Sequence, residues 1–320
     1  MAKVSIILPS YNHDKFLTAR LDSIVNQTFV DWELIIIDDC STDSSRLILE
    51  QFVARNPLKV KCFITNENNS GSGYLSWKKG IELVETEYVW IAETDDYCDV
   101  NFLNETVHLL DSNPAAALVF VGSNYVDVHG NFLYDSSNRT KSLSVINGGW
   151  ALFNSVILTS KLPLNPLITN GSSVLFRKPI VSIPENIFLN RQMSDLFLWC
   201  HLLKTKQFVF LNKNLNNFRR HESSTTTIAN MKHKQELYFE YSNFVNYFNL
   251  SDTITYLIVK DYILNFLLTN HNQKGFFYFD PIKKIKSLNN LNLLFYLGRT
   301  FFDFFVLKIS NKVQSIKRTK

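Results

Sequence analysis

The stretch WIAETDDYCD (residues 90–99) sets four carboxylates, Glu93, Asp95, Asp96 and Asp99, into seven positions directly after an apolar and aromatic run. Carboxylates at that spacing repel one another, so they require either full solvation or a cation held in common. A plainer use also exists: Asp favours turns and helix N-caps, and the following VNFLNETVHLL has helical spacing. What separates the two is whether other chemically able residues converge on the same place.

The elements that would position these residues bear on that choice. Apolar runs at residues 4–9 (VSIILP), 33–38 (ELIIID), 60–65 (VKCFIT), 88–92 (YVWIA) and 117–122 (ALVFVG) have strand length and are rich in Val and Ile without strict alternation. Such strands are buried on both faces, as in a largely parallel sheet. Between them, HDKFLTARLDSIVNQ, SSRLILEQFVARN, YLSWKKGIELVE and VNFLNETVHLLDSN repeat apolar positions at three and four residues, as amphipathic helices do. The alternation predicts a doubly wound α/β domain, in which ligands sit beyond the carboxyl ends of the strands. The unusual residues fall at those ends: Pro9, Ser10, Tyr11 and Asn12 after the first strand, Asp38 and Asp39 after the second, Asn66 to Gly73 after the third, Glu93 to Asp96 after the fourth. Independent capping residues would have no reason to converge on one rim, so the rim is read as a site.

A chain of 320 residues suffices for one large α/β domain with an appended helical part, since single cores stop growing near roughly 250 to 300 residues. From about 123 to 225 the chain is less regular, with NGGW, LPLNP and NGSS, and predicts loops and short strands. Residues 226–320 shift to helical stretches crowded with Phe, Tyr, Leu and Asn, and no glycine occurs between Gly171 and Gly275.

Composition excludes several classes. Hydrophobic residues are 46% and charged residues 19%, as in a folded globular protein, and a net charge of +4 is too small to imply nucleic acid. No basic stripe interleaved with aromatics runs through the first 220 residues, so no nucleic-acid partner is expected. Cys40, Cys62, Cys98 and Cys200 form no CxxC pair, which argues against a zinc cluster or disulfide framework and for a reducing compartment. The N-terminal apolar run is too short for a signal sequence and predicts a cytoplasmic protein. PSYNHDKF lacks the GxGxxG of a dinucleotide-dependent dehydrogenase and has no glycine of the kind a sugar nucleotidyltransferase needs in its first loop.

VSIILPSYNHDKFLTARLDSIVNQTFVDWELIIIDDCSTDSS resembles the opening of a family 2 inverting glycosyltransferase with the GT-A fold, of the bacterial surface-polysaccharide type, and the similarity runs from residue 3 to about 225. The resemblance implies a doubly wound mixed sheet: a catalytic domain over 1–225, with a nucleotide-binding half at about 1–122 and an acceptor half at about 123–225, then a helical extension over 226–320. It implies a nucleotide-sugar donor, a UDP-sugar, and a glycan or lipid-linked acceptor in surface polysaccharide synthesis.

Pro9, Tyr11 and Asn12 match the family's first-strand loop, and Asp39 matches the carboxylate that in relatives holds the uracil. Physically, Asp38 or Asp39 can accept from the uracil N3–H or ribose hydroxyls, and Tyr11 can lie against a base face or serve as a half-buried turn residue. NSGSGYLSWKKGIE resembles the third-strand loop and its helix: Gly71 would let backbone approach the nucleotide, and Lys78 or Lys79 would face phosphate or solvent. The chain departs there from the commoner Arg-Asn pair. NGSSVLFRK is placed near the donor sugar or acceptor.

Glu93-Thr94-Asp95-Asp96 aligns with the family's DxD-type metal site, with Glu93 where Asp is usual. The resemblance makes Asp95 the direct ligand of Mg2+ or Mn2+, a hard cation completed by substrate phosphates, and puts Glu93 and Thr94 at the donor, Glu93 on its ribose, with Asp96 supporting the site or touching the donor sugar. In RQMSDLFLWCHLL, Asp195 matches the carboxylate at a helix start that acts as general base, with Ser194 where Glu is often found; a first-turn helix residue is the alternative. NFRRHESS resembles a late loop near the pyrophosphate, with Arg219 as a phosphate fork and His221 as a donor to phosphate or a metal ligand. A non-catalytic nucleotide-sugar-binding or scaffolding protein on the same fold is the competing reading, supported by the departures at Glu93, Ser194 and Lys78-Lys79 and opposed by Asp95 and Asp195.

The end of the chain, LNLLFYLGRTFFDFFVLKISNKVQSIKRTK, joins a dense aromatic face to Lys308, Lys312, Lys317, Arg318 and Lys320. Arg299 and Asp303 interrupt its apolar run before the roughly 20 residues a span needs. It is read either as an amphipathic helix on an anionic membrane surface at the inner face of the cell membrane or as packing on the protein, including another copy in a homo-oligomer.

Overall fold

The computed structural model describes residues 2–221, 234–267, 280–289 and 291–303, and the chain divides into two compact units, Met1–Thr227 and Ile228–Lys320. In the first, β1 (Val4–Ser10), α1 (Asp14–Val25), β2 (Trp32–Asp38), α2 (Ser45–Arg55), β3 (Val60–Thr65), α3 (Gly73–Glu82) and β4 (Tyr88–Ile91) alternate as their hydrophobic periodicity predicts. Then come β5 (Tyr97–Cys98), α4 (Phe102–Ser112), β6 (Ala116–Val126), β7 (Phe132–Asp135), α5 (Ser137–Thr140), β8 (Trp150–Asn154), α6 (Ser155–Thr159), β9 (Val174–Arg177), α7 (Ser194–Leu203) and β10 (Gln207–Arg219).

The strands form one sheet in the order β3-β2-β1-β4-β9-β6-β10-β5, with β7 on β6 and β8 on β10. β3, β2, β1 and β4 are parallel. The fifth apolar run, β6, does not adjoin β4 as a simple βαβ series would have it: β9 lies between them, antiparallel to both. The irregular region after residue 123 likewise contains the longest strand among the described residues, the 13-residue β10, which pairs parallel with β6 and antiparallel with β8 and β5.

Side chains alternate across this sheet as the pleat requires. Val4, Ile6 and Leu8 join Leu17, Leu21 and Ile24 of α1 and Phe102, Leu103 and Leu110 of α4 in one apolar cluster. Ile7 points the other way, onto α3, where a Cβ on Gly80 would lie 2.4 Å from Ile7 Cγ2. On that opposite face Trp77 and Trp199 approach at 6.2 Å, with Phe176 5.8 Å from Trp199. Layers on both faces leave only the ends of the strands open, and the loops at the carboxyl ends of β1–β4 form the rim.

The second unit is helical: α8 (Lys234–Phe248), α9 (Asp252–Asp261) running on as π-helix through Tyr262–Leu267, α10 (Asp280–Lys283) and α11 over 291–303. Arg299 and Asp303, which break the apolar run of α11, turn onto α9: the Arg299 guanidinium lies 4.4 Å from the Tyr256 ring centre, and Tyr256 and Lys260 both bond the Asp303 carboxylate. No helix among the described residues is long and apolar enough to cross a membrane. Glu222 to Ser224 and the basic tail from Lys308 onward lie outside the described residues.

Because Ile7 is β-branched and enclosed, Gly80→Val should destabilise the first unit by about 1–3 kcal/mol through overpacking, seen as a lowered urea midpoint with an unchanged denaturant slope.

Candidate active site

The rim is assembled by polar links from each strand-end loop to the next. Asn12, at the end of the first loop with φ +53°, accepts through Oδ1 from the Thr42 amide at 2.7 Å and the Asp43 amide at 3.3 Å. His13 N donates to Ser45 Oγ. The first loop is thereby locked to the second, and Tyr11 stands 42% exposed beside it.

At the end of β2, Asp39 is buried and saturated: its carboxylate accepts from Asn66 Nδ2 at 2.6 Å, Asn69 Nδ2 at 3.1 Å, and the Ser70 amide and hydroxyl at 3.0 and 2.7 Å. Lys79 Nζ donates to Asn66 Oδ1 at 2.8 Å, so it reaches this network. Lys78 instead pairs with Glu185 and Glu82 on the surface. Gly71 has φ +77°, the left-handed region that glycine alone adopts freely, and a Cβ there would meet open space. Asp38 is fully buried: Oδ2 accepts from Ser41 N at 3.1 Å, and Oδ1 has no partner.

The loop 93–96 lies deeper. Thr94 Oγ1 is 3.2 Å from Pro9 O and 2.6 Å from His13 Nδ1. Arg20, fully buried, donates from Nε to Glu93 O at 2.7 Å and from Nη2 to Ser172 Oγ at 3.0 Å, and lies 3.9 Å from Asp96 Oδ2. Ser172 Oγ also accepts from Glu93 N at 3.1 Å, and a Cβ on Gly171 would collide with Trp77 at 2.5 Å. The NGSS loop is therefore a brace wedged under the carboxylates.

Asp95 faces two imidazoles. His221 Nε2 is 3.1 Å from Asp95 Oδ2, and His13, Asp95 and His221 each offer a ligand atom within 4.8 Å of the others. Burial would raise the Asp95 carboxyl, but the His221 hydrogen bond and the neighbouring His13 outweigh it and hold the group below its usual range. Burial lowers His13, opposed by the Asp95 charge. Asp96, whose Oδ1 accepts from Arg219 N at 3.0 Å, is pushed up to about 7 by burial and by Asp95, with Arg20 opposing. Glu93 is driven well above the carboxylate range by burial and then by Asp95, Asp96 and Asp195. The Asp195 charge thus reaches Glu93 from the first turn of α7, where its Oδ1 accepts from Leu196 N.

Arg219 does not present a free fork toward phosphate. Its Nε donates to Asp95 O, its Nη1 to Asp127 O and Val128 O, and its plane lies against Phe16 and Tyr97 at 4.9 and 5.3 Å. It is a brace, buried because β10 ends inside the rim.

His13 and Arg20 were missed in the sequence. His13 had a signal, being a residue of metal-ligating type one position past the matched loop; Arg20 reads as the polar face of an amphipathic helix. The donor set of two imidazoles and one carboxylate fits a divalent ion of the first transition row.

A doubly wound mixed sheet with this cluster at its carboxyl rim is of the nucleotide-sugar transferase GT-A class. The chain belongs to glycosyl transferase family 2, whose model matches residues 5–182. The poly(ribitol-phosphate) beta-N-acetylglucosaminyltransferase TarS of Staphylococcus aureus is 31% identical over 121 residues, 37% of this chain, and the match spans only 21% of that relative's length. A GalNAc(5)-diNAcBac-PP-undecaprenol beta-1,3-glucosyltransferase of Campylobacter jejuni is 25% identical over 244 residues, 75% of this chain and 72% of its own. In fold, the crystal structure of S. aureus TarS 1-349 in complex with UDP-GlcNAc is similar with a TM-score of 0.60 at 20% identity, covering 93% of this chain and 80% of that one.

Arg20→Met would strand Asp96 in the interior and should cost about 3–5 kcal/mol, as for a broken buried pair. Adding Asp96→Asn should restore part of that loss, and a double-mutant cycle on urea midpoints measures the coupling.

Proposed function

We propose that the chain is an inverting glycosyltransferase that moves a sugar from a UDP-sugar to a hydroxyl of a bacterial surface glycan or its lipid-linked precursor. The observation that carries this reading is the convergence of His13, Asp95 and His221 on one rim, with the charge of Asp195 reaching Glu93 beside them, in a chain of this family. The similarity to relatives named for poly(ribitol-phosphate) and for an undecaprenol-linked glycan supports the acceptor class, and a fold neighbour in complex with UDP-GlcNAc supports the donor.

In this mechanism Tyr11 and the Asp39-anchored loop through Gly71 form the base pocket, with Asp38 enclosed behind them, and Pro9 and Asn12 shape its floor. Lys79 reaches the same loop and lends positive charge near the phosphates. Glu93 meets the donor's ribose side, and Thr94, expected at the donor but enclosed with its hydroxyl engaged by Pro9 O and His13, supports the loop instead. Asp195 takes the proton of the acceptor hydroxyl as that oxygen attacks the anomeric carbon, giving inversion in one displacement. The C–O bond to the diphosphate breaks in the same step, and negative charge grows on UDP. Asp95 and His221 would hold Mn2+ or Mg2+, which when bound supplies charge neutralisation for that leaving group. Arg219 and Asp96 hold the Asp95 backbone and the loop in place.

The second unit extends the proposal to the membrane. Leu291, Leu294, Phe295 and Phe302 are exposed on α11 at helical spacing, and the sequence that follows carries five basic residues and no acid after Asp303. This combination suits peripheral docking on an anionic leaflet.

Asp195→Asn should lower turnover by about 10²–10⁴-fold, the range of a lost general base, while calorimetric UDP affinity stays near wild type; retention of most activity would remove Asp195 from the mechanism. Vesicles rich in anionic lipid should sediment the full chain and leave a chain ending at residue 290 in the supernatant. Equal sedimentation of both would exclude the membrane role of α11 and the tail.

A further inference from the structure

We propose that His13 is a third protein ligand of the divalent ion, oriented by Thr94, and that the resulting two-imidazole, one-carboxylate set selects Mn2+ over Mg2+. This rests on the metal-assisted reading above and specifies it.

One hydrogen sets the tautomer of His13. Thr94 Oγ1 contacts both His13 Nδ1, at 2.6 Å, and Pro9 O, at 3.2 Å. A carbonyl oxygen only accepts, and a hydroxyl has a single hydrogen. Both contacts are served when the hydroxyl donates to Pro9 O and accepts from an Nδ1–H. His13 then carries its lone pair on Nε2. Thr94 is 1% exposed, so water does not compete for this arrangement.

With Nδ1 taken, Nε2 is the nitrogen left to bind an ion, and the His13 ring brings a nitrogen within 4.8 Å of the ligand atoms of Asp95 and His221. The rings of His13 and His221 stand edge to face, 86° apart with centres at 5.9 Å, so neither blocks the other's nitrogen by stacking. A metal-bound imidazole characteristically donates its second N–H to a neighbouring oxygen, which sets its tautomer and orientation; Thr94 supplies that oxygen. The three ligands come from three different segments: the loop after β1, the loop after β4, and the residues just beyond β10. One ion would tie them together.

The donor set separates Mn2+ from Mg2+. Mg2+ demands oxygen ligands in near-ideal octahedral geometry and dehydrates reluctantly, whereas first-row transition ions accept imidazole. Two nitrogens of three protein ligands therefore disfavour Mg2+ relative to Mn2+, the hardest of the first-row ions, and the site should bind Mn2+ before any nucleotide supplies phosphate oxygens.

The test is Mn2+ titration of the full chain without nucleotide, followed by the paramagnetic resonance signal of the free ion, with electron spin-echo modulation to count coupled imidazole nitrogens. Wild type should show two coupled imidazoles and need large excess Mg2+ for displacement. His13→Gln should show one, with Mn2+ affinity reduced by about ten-fold or more. Thr94→Val should keep two but bind more weakly. Circular dichroism and metal-free UDP affinity report whether each variant is folded, and the wild-type echo count needs no variant at all. A single coupled imidazole in wild type, lost in His221→Ala and unchanged in His13→Gln, would overturn the role of His13 and leave the metal-assisted reading standing. No Mn2+ binding by wild type with or without UDP would strike down that reading itself.

Discussion

The site depends on one buried guanidinium. Arg20 has no solvent contact, yet it holds the Glu93 carbonyl, the Ser172 hydroxyl and, at 3.9 Å, the Asp96 carboxylate. An enclosed charge is tolerable only when paired and hydrogen-bonded, and even then the pair seldom adds net stability against apolar residues of the same size. Arg20 Nη1 and Asp96 Oδ2 both lack a hydrogen-bond partner, so this pairing is not optimised for stability. Its effect is positional. It ties α1, the loop after β4 and the loop before β9 to one another, and any movement of the carboxylate loop would strip the guanidinium of its acceptors.

The same logic runs along the rim. Asn12 secures the loop after β2, Asp39 secures the loop after β3, Thr94 ties the loop after β4 to Pro9, and Arg219 ties the end of β10 back to Asp95. The parallel strands bring these loops to one edge, but strand ends alone would not fix the loops relative to one another. The cross-links remove that freedom, which is what an electrostatically organised site requires: groups fixed before the charge they stabilise develops.

Periodicity made the first half of the fold legible. Runs such as VSIILP and ELIIID have few alternatives when bounded by amphipathic helices, and the carboxylates stood out because their mutual repulsion needs an explanation. The second half was less legible for physical reasons. β9 is four residues, VLFR, too short for a periodic signal, and its antiparallel insertion is decided by the sheet that receives it. β10 contains LNKNLNN, and Asn and Lys are poor strand formers in isolation; pairing on both sides overrides that preference. Arg20 lies among Leu17, Leu21 and Ile24, where a helical pattern alone does not tell a buried cation from a solvated one. Arg219 shows the converse: its residue type suggested phosphate, and its neighbours claimed its donors first.

The four carboxylates of residues 93–99 meet their mutual repulsion in separate ways. Asp99 sits exposed and caps Asn101, so water screens it. Glu93 and Asp96 are enclosed and shifted toward the neutral form, by burial first and Asp95 next, with Arg20 compensating in part. Asp95 alone is drawn toward the anion, because two imidazoles face it. Adjacent groups whose environments push their proton affinities apart acquire different tasks. The cluster is therefore not a cage of equivalent anions around a cation. Among its three enclosed members only Asp95 is drawn toward the anion, the other two form the scaffold that holds it, and in the proposed metal site the two histidines would supply ligands that a carboxylate cage would otherwise provide.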